Sequence, residues 1–507
     1  MMSLLGQGVL TVVGNPGILL AMFVGVFIGI IFGALPGLTT VACLSMFLPV
    51  TYVMSQEMGL SMLTAIYIGG MSGGLVSAIL LNIPGTPSSI ATCFDGTPMA
   101  KKGLAGKALG TGVFASIVGN FIGVLAMIFI SPPLAAATLQ FGPWENFGVT
   151  LFALTLIASL CGKNIYTGLL SAVFGMMFST IGLDKIDSSQ RFTFGFNSLT
   201  TGFGLLTVLV GMYAVSEVLK TASSDQQEGK VNEDFHMHGL GLTGTEIKSQ
   251  SWNLLRSSLI GLAIGILPGI GGSTANIIAY SVAKSSSKYP EKFGTGIIDG
   301  ICASESANNA SVGGAMIPLL TLGIPGDGST ALLLGGFMLH GLQPGPLLFQ
   351  NNGSIVYSIF ASMLISTVMM GVIMYLCMRA FVKILKVPSF ILIPCIIVLC
   401  SIGAYTLNYR TFDIWALLFF GIVGLGMATA KVPLPPFILG FILGSDFEVN
   451  LRTGLQYAAS DHLMLLHRPI ALTFVVLAVV FLVISIMKLR AQNKRELAMQ
   501  KEGGGAV

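Results

Sequence analysis

Charge is the scarcest property of this sequence. Asp, Glu, Lys and Arg together make up 9% of its 507 residues, against about 25% in a typical soluble domain. So few ions cannot cover a water-facing surface, which excludes an ordinary soluble globular chain. The formal net charge of +4 comes from basic residues standing singly between apolar runs. The chain therefore also lacks the basic stripe that nucleic acid requires. Metal-like cysteine spacing is missing too. Cys43, Cys93, Cys161, Cys302, Cys377, Cys395 and Cys400 lie mostly in apolar stretches and read as small buried side chains, not as disulfides or ligands. No Walker A loop, nucleophile elbow or HExxH motif occurs, which removes ATP-driven pumping by this chain and the commonest hydrolase chemistries. The opening "MMSLLGQGVLTVVGNPG" has neither a basic n-region nor an A-x-A site and is not expected to be cleaved as a signal peptide.

Apolar length, in contrast, is abundant. Hydrophobic residues fill 53% of the chain, and the mean hydropathy is +0.85. Runs of roughly 20 residues, enough to cross a ~30 Å hydrocarbon layer, recur along it. The pattern predicts an all-α polytopic membrane protein of about 12 transmembrane helices. One stretch interrupts it. Residues 220–253 hold Asp225, Glu228, Glu233, Asp234 and Glu246 with Lys220, Lys230 and Lys248, too polar to insert. We read 1–219 as a first membrane segment, 220–253 as a polar linker, 254–487 as a second membrane segment and 488–507 as a tail. Lys488, Arg490, Lys494, Arg495 and Lys501 assign that tail to the cytoplasm by the positive-inside bias.

The two segments resemble each other. "GALPGLTT" (33–40) matches "GILPGIGGST" (265–274), and "NIPGTPSS" (82–89) matches "GIPGDGST" (323–330). A third pair, "FDGTP" (94–98) and "LHGLQP" (339–344), follows in the same order. Paired Gly/Pro interruptions of apolar runs at corresponding places are the sequence mark of a secondary transporter built from repeats. Pro325 lacks an N–H and disfavours helix at Ile324, while Gly326 and Gly328 permit φ > 0. "GIPGDGST" should therefore end one half-helix and begin another. Asp327, Ser329 and Thr330 stand where N-caps belong. The freed N–H groups suit an anion, and the freed carbonyls suit a small cation.

The segment before that break, "DGICASESANNASVGGAMIPLL" (299–320), carries a carboxylate inside an apolar run. Glu305, Asn308 and Asn309 fall on one helical face at i, i+3, i+4, flanked by Ser304 and Ser311. An intramembrane carboxylate is costly and points to function. The group could coordinate Na⁺, carry a proton or hold a substrate hydroxyl; a helix–helix hydrogen-bonded cluster is the plainer alternative. The corresponding "YIGGMSGGLVSAILLN" (67–82) offers Gly69, Gly70, Gly73, Gly74 and Ser77, a small-residue pattern that reads as close helix packing. His340 reads as a loop or capping residue, His236 and His238 as solvated, and Lys101, Lys102 and Lys107 as marking a cytoplasmic loop.

"GALPGLTT", "NIPGTPSS…DGTPMAKKGLAGKALG" (82–110) and "ASESANNASVGGAMIPLLTLGIPGDGSTALLLGGFMLHGLQPGP" (303–346) resemble the large membrane subunit of the tripartite tricarboxylate transporters, the TctA family, from about residue 17 to 470. The resemblance implies a bacterial inner-membrane carboxylate importer. It also implies a small four-helix membrane subunit and a periplasmic substrate-binding protein as partners, and transport driven by Na⁺ or H⁺. By analogy of fold it implies that the repeats are inverted. The chain departs from the family pattern at Asp327, where a small neutral residue is more usual.

The sequence is thus read as a two-repeat transporter of a small carboxylate, without a catalytic residue, resident metal or cofactor. The substrate residues are assigned to Thr39 and Thr40, to Gly85, Thr86, Ser88 and Ser89, to Ser273 and Thr274, and to Gly326, Ser329 and Thr330. The coupling ion is assigned to Asn82, Glu305, Asn308, Asn309 and Asp327, with Na⁺ favoured over H⁺ because the ligands are hard oxygens. A passive anion channel and a membrane-embedded transferase are the competing classes.

Overall fold

The computed structural model describes residues 2–35, 38–160, 165–223, 241–384, 389–458 and 464–503. Pro36, Cys161, His236, His238 and the acidic middle of the polar stretch lie outside the described residues. The chain is helical almost throughout; a short antiparallel hairpin pairs Gly182–Leu183 with Gln190–Arg191. Among the described residues, six helices are long and apolar enough to cross a membrane: Pro16–Ala34, Gln56–Leu81, Pro87–Thr138, Gly353–Met378, Thr411–Thr429 and Pro469–Met487. Shorter apolar helices such as Thr40–Val53 and Gly328–Leu339 accompany them. Further helices, Gly244–Ile266, Ile298–Leu322, Ser389–Asn408 and Leu434–Tyr457, also have the length of a span. Two compact units are present, one of Met1–Leu139 with Leu205–Leu425, the other of Gln140–Gly204 with Gly426–Val507.

Within the first unit the order of elements recurs. Helix Pro16–Ala34 breaks into Thr40–Phe47, and Gly244–Ile266 breaks into Gly271–Ser285. The closing residues adopt nearly the same backbone, Leu35 at φ −79°, ψ 117° and Leu267 at φ −78°, ψ 119°. Next come the long helices Gln56–Leu81 and Ile298–Leu322, each ended by a left-handed residue, Asn82 (φ 58°, ψ 27°) or Gly323 (φ 71°, ψ 16°). Beyond each break a further helix starts, Ile90–Met99 after a 3₁₀ turn at Pro87–Ser89, or Gly328–Leu339. The polar stretch is not all linker, because the helix Gly244–Ile266 begins inside it. Thr243 and Glu246 form a capping box there, and Lys107 Nζ lies 2.5 Å from Glu246 Oε1. That ion pair, with the Thr243 N–H, holds the Glu246 carboxyl down at about 2.

Glycine sets the spacing of these helices. A methyl on Gly29 would collide with Ile66 O, and one on Gly33 with Gly70 O. At corresponding places in the other set, methyls on Gly261 and Gly265 would collide with Ala307 O and Ser311 O. Gly119 and Gly123 of Ala105–Thr138 meet Ser306 O and Ala310 O in the same way. The helix Ile298–Leu322 is therefore gripped on two sides at backbone distance, and Gly300 to Thr321 are all buried. Close approach of this kind supplies van der Waals contact where lipid removes the hydrophobic drive between helices. In the second unit Gly175 of Ile165–Ser179 and Gly440 of Leu434–Tyr457 make the same kind of crossing, against Phe437 O and Ala172 O.

Gly119→Ala should lower stability by about 1–3 kcal/mol, the usual cost of overpacking. Gly112→Ala, whose methyl would stand 3.4 Å from Leu75 Cδ2, should be neutral. Thermal unfolding in detergent reads the difference, and equal melting of the two variants would contradict the packing account.

Candidate functional site

The two breaks look alike in backbone but differ in how they are capped. The first set breaks after Leu35 and between Asn82 and Thr86, the second between Leu267 and Ile270 and between Gly323 and Asp327. At the last of these the Asp327 carboxylate caps the helix Gly328–Leu339. Its Oδ1 accepts from Thr330 N at 2.7 Å and from Thr330 Oγ1 at 2.8 Å, and its N–H donates to Thr330 Oγ1 at 2.8 Å. Tyr67 O–H, from the other long helix, donates to Oδ2 at 2.7 Å. Thr86, at the matching position, makes no side-chain cap. Its Oγ1 lies 3.3 Å from Ser88 Oγ and 3.2 Å from Ser89 Oγ, and all three residues are buried.

Two expectations about the breaks need correcting. Positive φ falls on Asn82, Gly269, Gly271 and Gly323, not on Gly85, Gly326 or Gly328. Gly85 and Gly326 are required for closeness instead. A methyl on Gly85 would collide with Gly33 O and stand 2.6 Å from Ser77 Oγ, and one on Gly326 would stand 2.6 Å from Ala315 Cα and 2.9 Å from Gly265 O. Nor are the carbonyls before the second break free for a cation. Ile324 N donates to Pro318 O, Gly323 N to Leu319 O, and Gly345 N to Leu320 O, at 3.2, 3.0 and 3.1 Å. Thr138 Oγ1 donates to Thr321 O at 3.4 Å. These four carbonyls are engaged, whereas buried side-chain oxygens such as Asn308 Oδ1 are not.

Glu305 lies fully buried in the middle of its helix. Thr92 Oγ1 donates to its Oε1. Ser116 Oγ and Asn309 Nδ2 donate to its Oε2 at 3.3 and 3.4 Å. These donors are all neutral. Asn309 extends the network through Ser72 and Asn120, whose groups donate to its Oδ1 at 2.6 and 3.2 Å. Asn308 also lies against Glu305. Its Nδ2 donates to Met71 O at 3.1 Å while its buried Oδ1 has no partner, and a methyl on Gly272 would stand 2.7 Å from that oxygen. Thr40 Oγ1 and Ser77 Oγ are likewise buried without a partner. Thr39 caps Thr40–Phe47, Ser273 and Thr274 open Gly271–Ser285 half-buried, and Ser329 and Thr330 are buried behind Asp327. Asn82 is not in the Glu305 cluster; it closes Gln56–Leu81 and accepts from Thr97 Oγ1 at 3.1 Å. His340 caps Gly328–Leu339 at its end, with Nε2 3.3 Å from Thr51 Oγ1.

Sequence reasoning passed over Asp95, read only as part of "FDGTP". Its side chain is fully buried. Oδ1 accepts from the N–H groups of Gly294, Gly296 and Ile297 at 2.9, 2.8 and 3.1 Å, and Oδ2 accepts from Tyr280 O–H at 2.9 Å. One carboxylate thereby ties Ile90–Met99 to the loop that leads into the Glu305 helix. Asn276 adds a second tie, accepting from Ala91 N at 2.7 Å and donating to Ser304 O at 3.2 Å. A carboxylate within an apolar run, the same signal that marked Glu305, was present for Asp95.

Comparison with known proteins gives a consistent picture. The family described as "Tripartite tricarboxylate transporter TctA family" matches residues 19–439. A protein of Agrobacterium vitis described as "Uncharacterized 52.8 kDa protein in TAR-I ttuC' 3'region" is 34% identical over 480 residues, 95% of either chain. A second from the same organism, "Uncharacterized protein in TAR-II ttuC' 3'region", is 36% identical over 227 residues, 45% of this chain and 94% of its own length. No solved structure matches significantly.

Asp95→Ala would leave a buried phenol without its acceptor, at about 1–3 kcal/mol, and would release three part-buried loop N–H groups. The variant should lose most folded protein. Asp95→Asn keeps one oxygen for the N–H groups and should retain much more. Membrane abundance and melting temperature test this, and normal melting of Asp95→Ala would refute the tie.

Proposed function

Because the chain belongs to the tripartite tricarboxylate transporter TctA family, we propose that it is the large membrane subunit of a binding-protein-dependent secondary transporter. On this reading it imports an organic di- or tricarboxylate into a bacterial cell across the inner membrane, with a coupling cation. A small four-helix membrane subunit and a periplasmic binding protein are its partners, its two halves are inverted repeats, and its C-terminus is cytoplasmic.

The observation that carries the reading is the difference between the two breaks. Behind Gly326 the positive helix end is already occupied by the Asp327 carboxylate. Behind Gly85 the equivalent end carries no carboxylate: Thr86 makes no cap, the neutral Asn276 Oδ1 accepts from Ala91 N, and the hydroxyls of Thr86, Ser88 and Ser89 line the turn. A helix N-terminus whose positive end is not already neutralised by a carboxylate favours an anion. We therefore assign the substrate carboxylate chiefly to the first break, with Thr39 and Thr40 nearby in sequence order. Ser273, Thr274, Gly326, Ser329 and Thr330 complete the substrate set at the second break. The departure at Asp327 then fits an anionic substrate, since that carboxylate caps its own helix and takes the Tyr67 hydroxyl.

For the cation, the buried oxygens support a site built from side chains. Glu305 supplies charge, and Asn308 Oδ1 and Thr40 Oγ1 are acceptors without a partner in the protein. Hard oxygen ligands favour Na⁺. Asn82 and Asp327 are engaged as caps and are left out of this set. Reconstituted with its partner subunits, the protein should accumulate carboxylate when only a Na⁺ gradient is imposed. Uptake that follows a pH gradient with Na⁺ absent would replace Na⁺ by H⁺.

Glu305→Gln keeps volume and removes the charge. Thr86→Ala removes a hydroxyl from the first break. Each should reach the membrane normally and lose uptake by about tenfold or more, the factor that about 1.4 kcal/mol represents. Gly244→Ala, where a methyl meets open space, is the control. Wild-type uptake by both site variants would reject the assignment.

A further inference from the structure

The second unit carries an exposed aromatic loop that transport chemistry does not use. It follows the hairpin Gly182–Leu183/Gln190–Arg191, and its sequence is "RFTFGFNSL" (191–199). Phe192, Phe194 and Phe196 are 60%, 76% and 66% exposed, so three rings in five residues point away from the protein. Two of them are held in an unfavourable backbone region, with φ 51° at Phe192 and 49° at Phe194. A bulky residue adopts positive φ only where its surroundings over-determine it.

The surroundings here are a set of ion pairs. Arg191 Nη1 donates to both oxygens of Glu448 at 2.8 and 2.9 Å and also pairs with Asp184. Arg452 donates to Asp184 Oδ2 at 2.8 Å and to Asp187 Oδ2 at 3.1 Å. Asp184 Oδ1 accepts from the N–H groups of Ile186 and Asp187 at 2.7 and 3.0 Å. The hairpin is thereby fixed to the helix Leu434–Tyr457, and the rings are displayed from a rigid base rather than a loose loop.

The hairpin also continues an apolar face. Helix Ile165–Ser179 packs one side on Leu434–Tyr457 at Gly175 and Gly440. Its other side exposes Tyr166, Leu170, Val173 and Met177, and Leu183 of the first strand is exposed as well. Spacings of i, i+4, i+7 and i+11 form one stripe, which in a multi-pass membrane protein faces lipid. In chain order the three phenylalanines follow that stripe and the exposed Leu183. We propose that Phe192, Phe194 and Phe196 anchor the second unit in the bilayer interface, seating their rings at the headgroup–acyl boundary. Apolar rings bind there through buried area. Three carboxylates and two guanidinium groups form the base, so anionic headgroups add no attraction. Zwitterionic lipid should suffice. The inference rests on membrane residence and is independent of the carboxylate reading.

The test is Phe194→Trp in the full chain, reconstituted in phosphatidylcholine vesicles and compared with the parent protein, whose three native tryptophans give the background. Phosphatidylcholine brominated near the headgroup end of its acyl chains should quench most of the added emission, and aqueous iodide should quench little of it. Emission quenched by iodide and untouched by bromolipid would put the loop in water and overturn the proposal. Emission quenched by neither would mean that protein, a second copy of this chain, covers the loop, and would overturn it equally. Phe196→Trp provides the same reading if the first variant fails to reach the membrane fraction.

Discussion

A backbone that breaks inside an apolar layer must find partners in its own protein, because lipid offers none and each unsatisfied group costs several kcal/mol. The first unit is arranged around that requirement. Four consecutive carbonyls at the end of Ile298–Leu322 are each met, three by N–H groups of the chain that follows and one by Thr138. Gly326 O accepts from Gly269 N at 2.7 Å, so one break helps to close the other. Such repairs need the backbones to touch, and contact at that range needs residues without a Cβ. The glycines at 29, 33, 261 and 265 are the same requirement seen from the neighbouring helices.

Once the helices are held so closely, the polar groups between them are isolated from water. Glu305 takes its three hydrogen bonds from neutral side chains, and its neighbours are fixed in turn by Asn309, Asn120 and Asn276. Asp95 resolves a similar problem differently, with backbone N–H groups from a loop. Two buried carboxylates in one unit thus have distinct surroundings. The one that receives backbone donors joins two elements, and the one that receives only side chains sits beside acceptors that still lack a partner.

Much of this was legible in the residues. The order of the breaks, the buried face of Glu305 and Asn309 and the capping role of Asp327 all follow from local rules of helix periodicity and Gly/Pro chemistry. Positive φ was misplaced, since a Gly/Pro cluster permits several backbone paths and tertiary packing chooses among them. Asn308 was grouped with Glu305 by spacing. Its side chain lies against Glu305 and also donates to Met71 O on a helix far away in sequence, a second contact that no local pattern encodes. Asp95 was missed for a related reason. Its partners are N–H groups two hundred residues later, and main-chain donors leave no trace in the identity of the residues that carry them.

At the offset that relates Asn82 to Gly323, Glu305 is matched by Thr64, whose hydroxyl donates to Leu60 O and Ser61 O of its own helix. The scaffold recurs, but the charge does not. A single carboxylate can neutralise one monovalent cation, while a di- or tricarboxylate brings two or three negative charges. On the proposed function, the loaded protein would keep a net charge while it moved its cargo, unless further cations travelled elsewhere. The membrane potential would then act on that step with about 2.3 kcal/mol per charge per 100 mV. A duplicated frame that buries an acid in the middle of one long helix and a threonine in the other would, on that reading, be an electrical device as well as a chemical one.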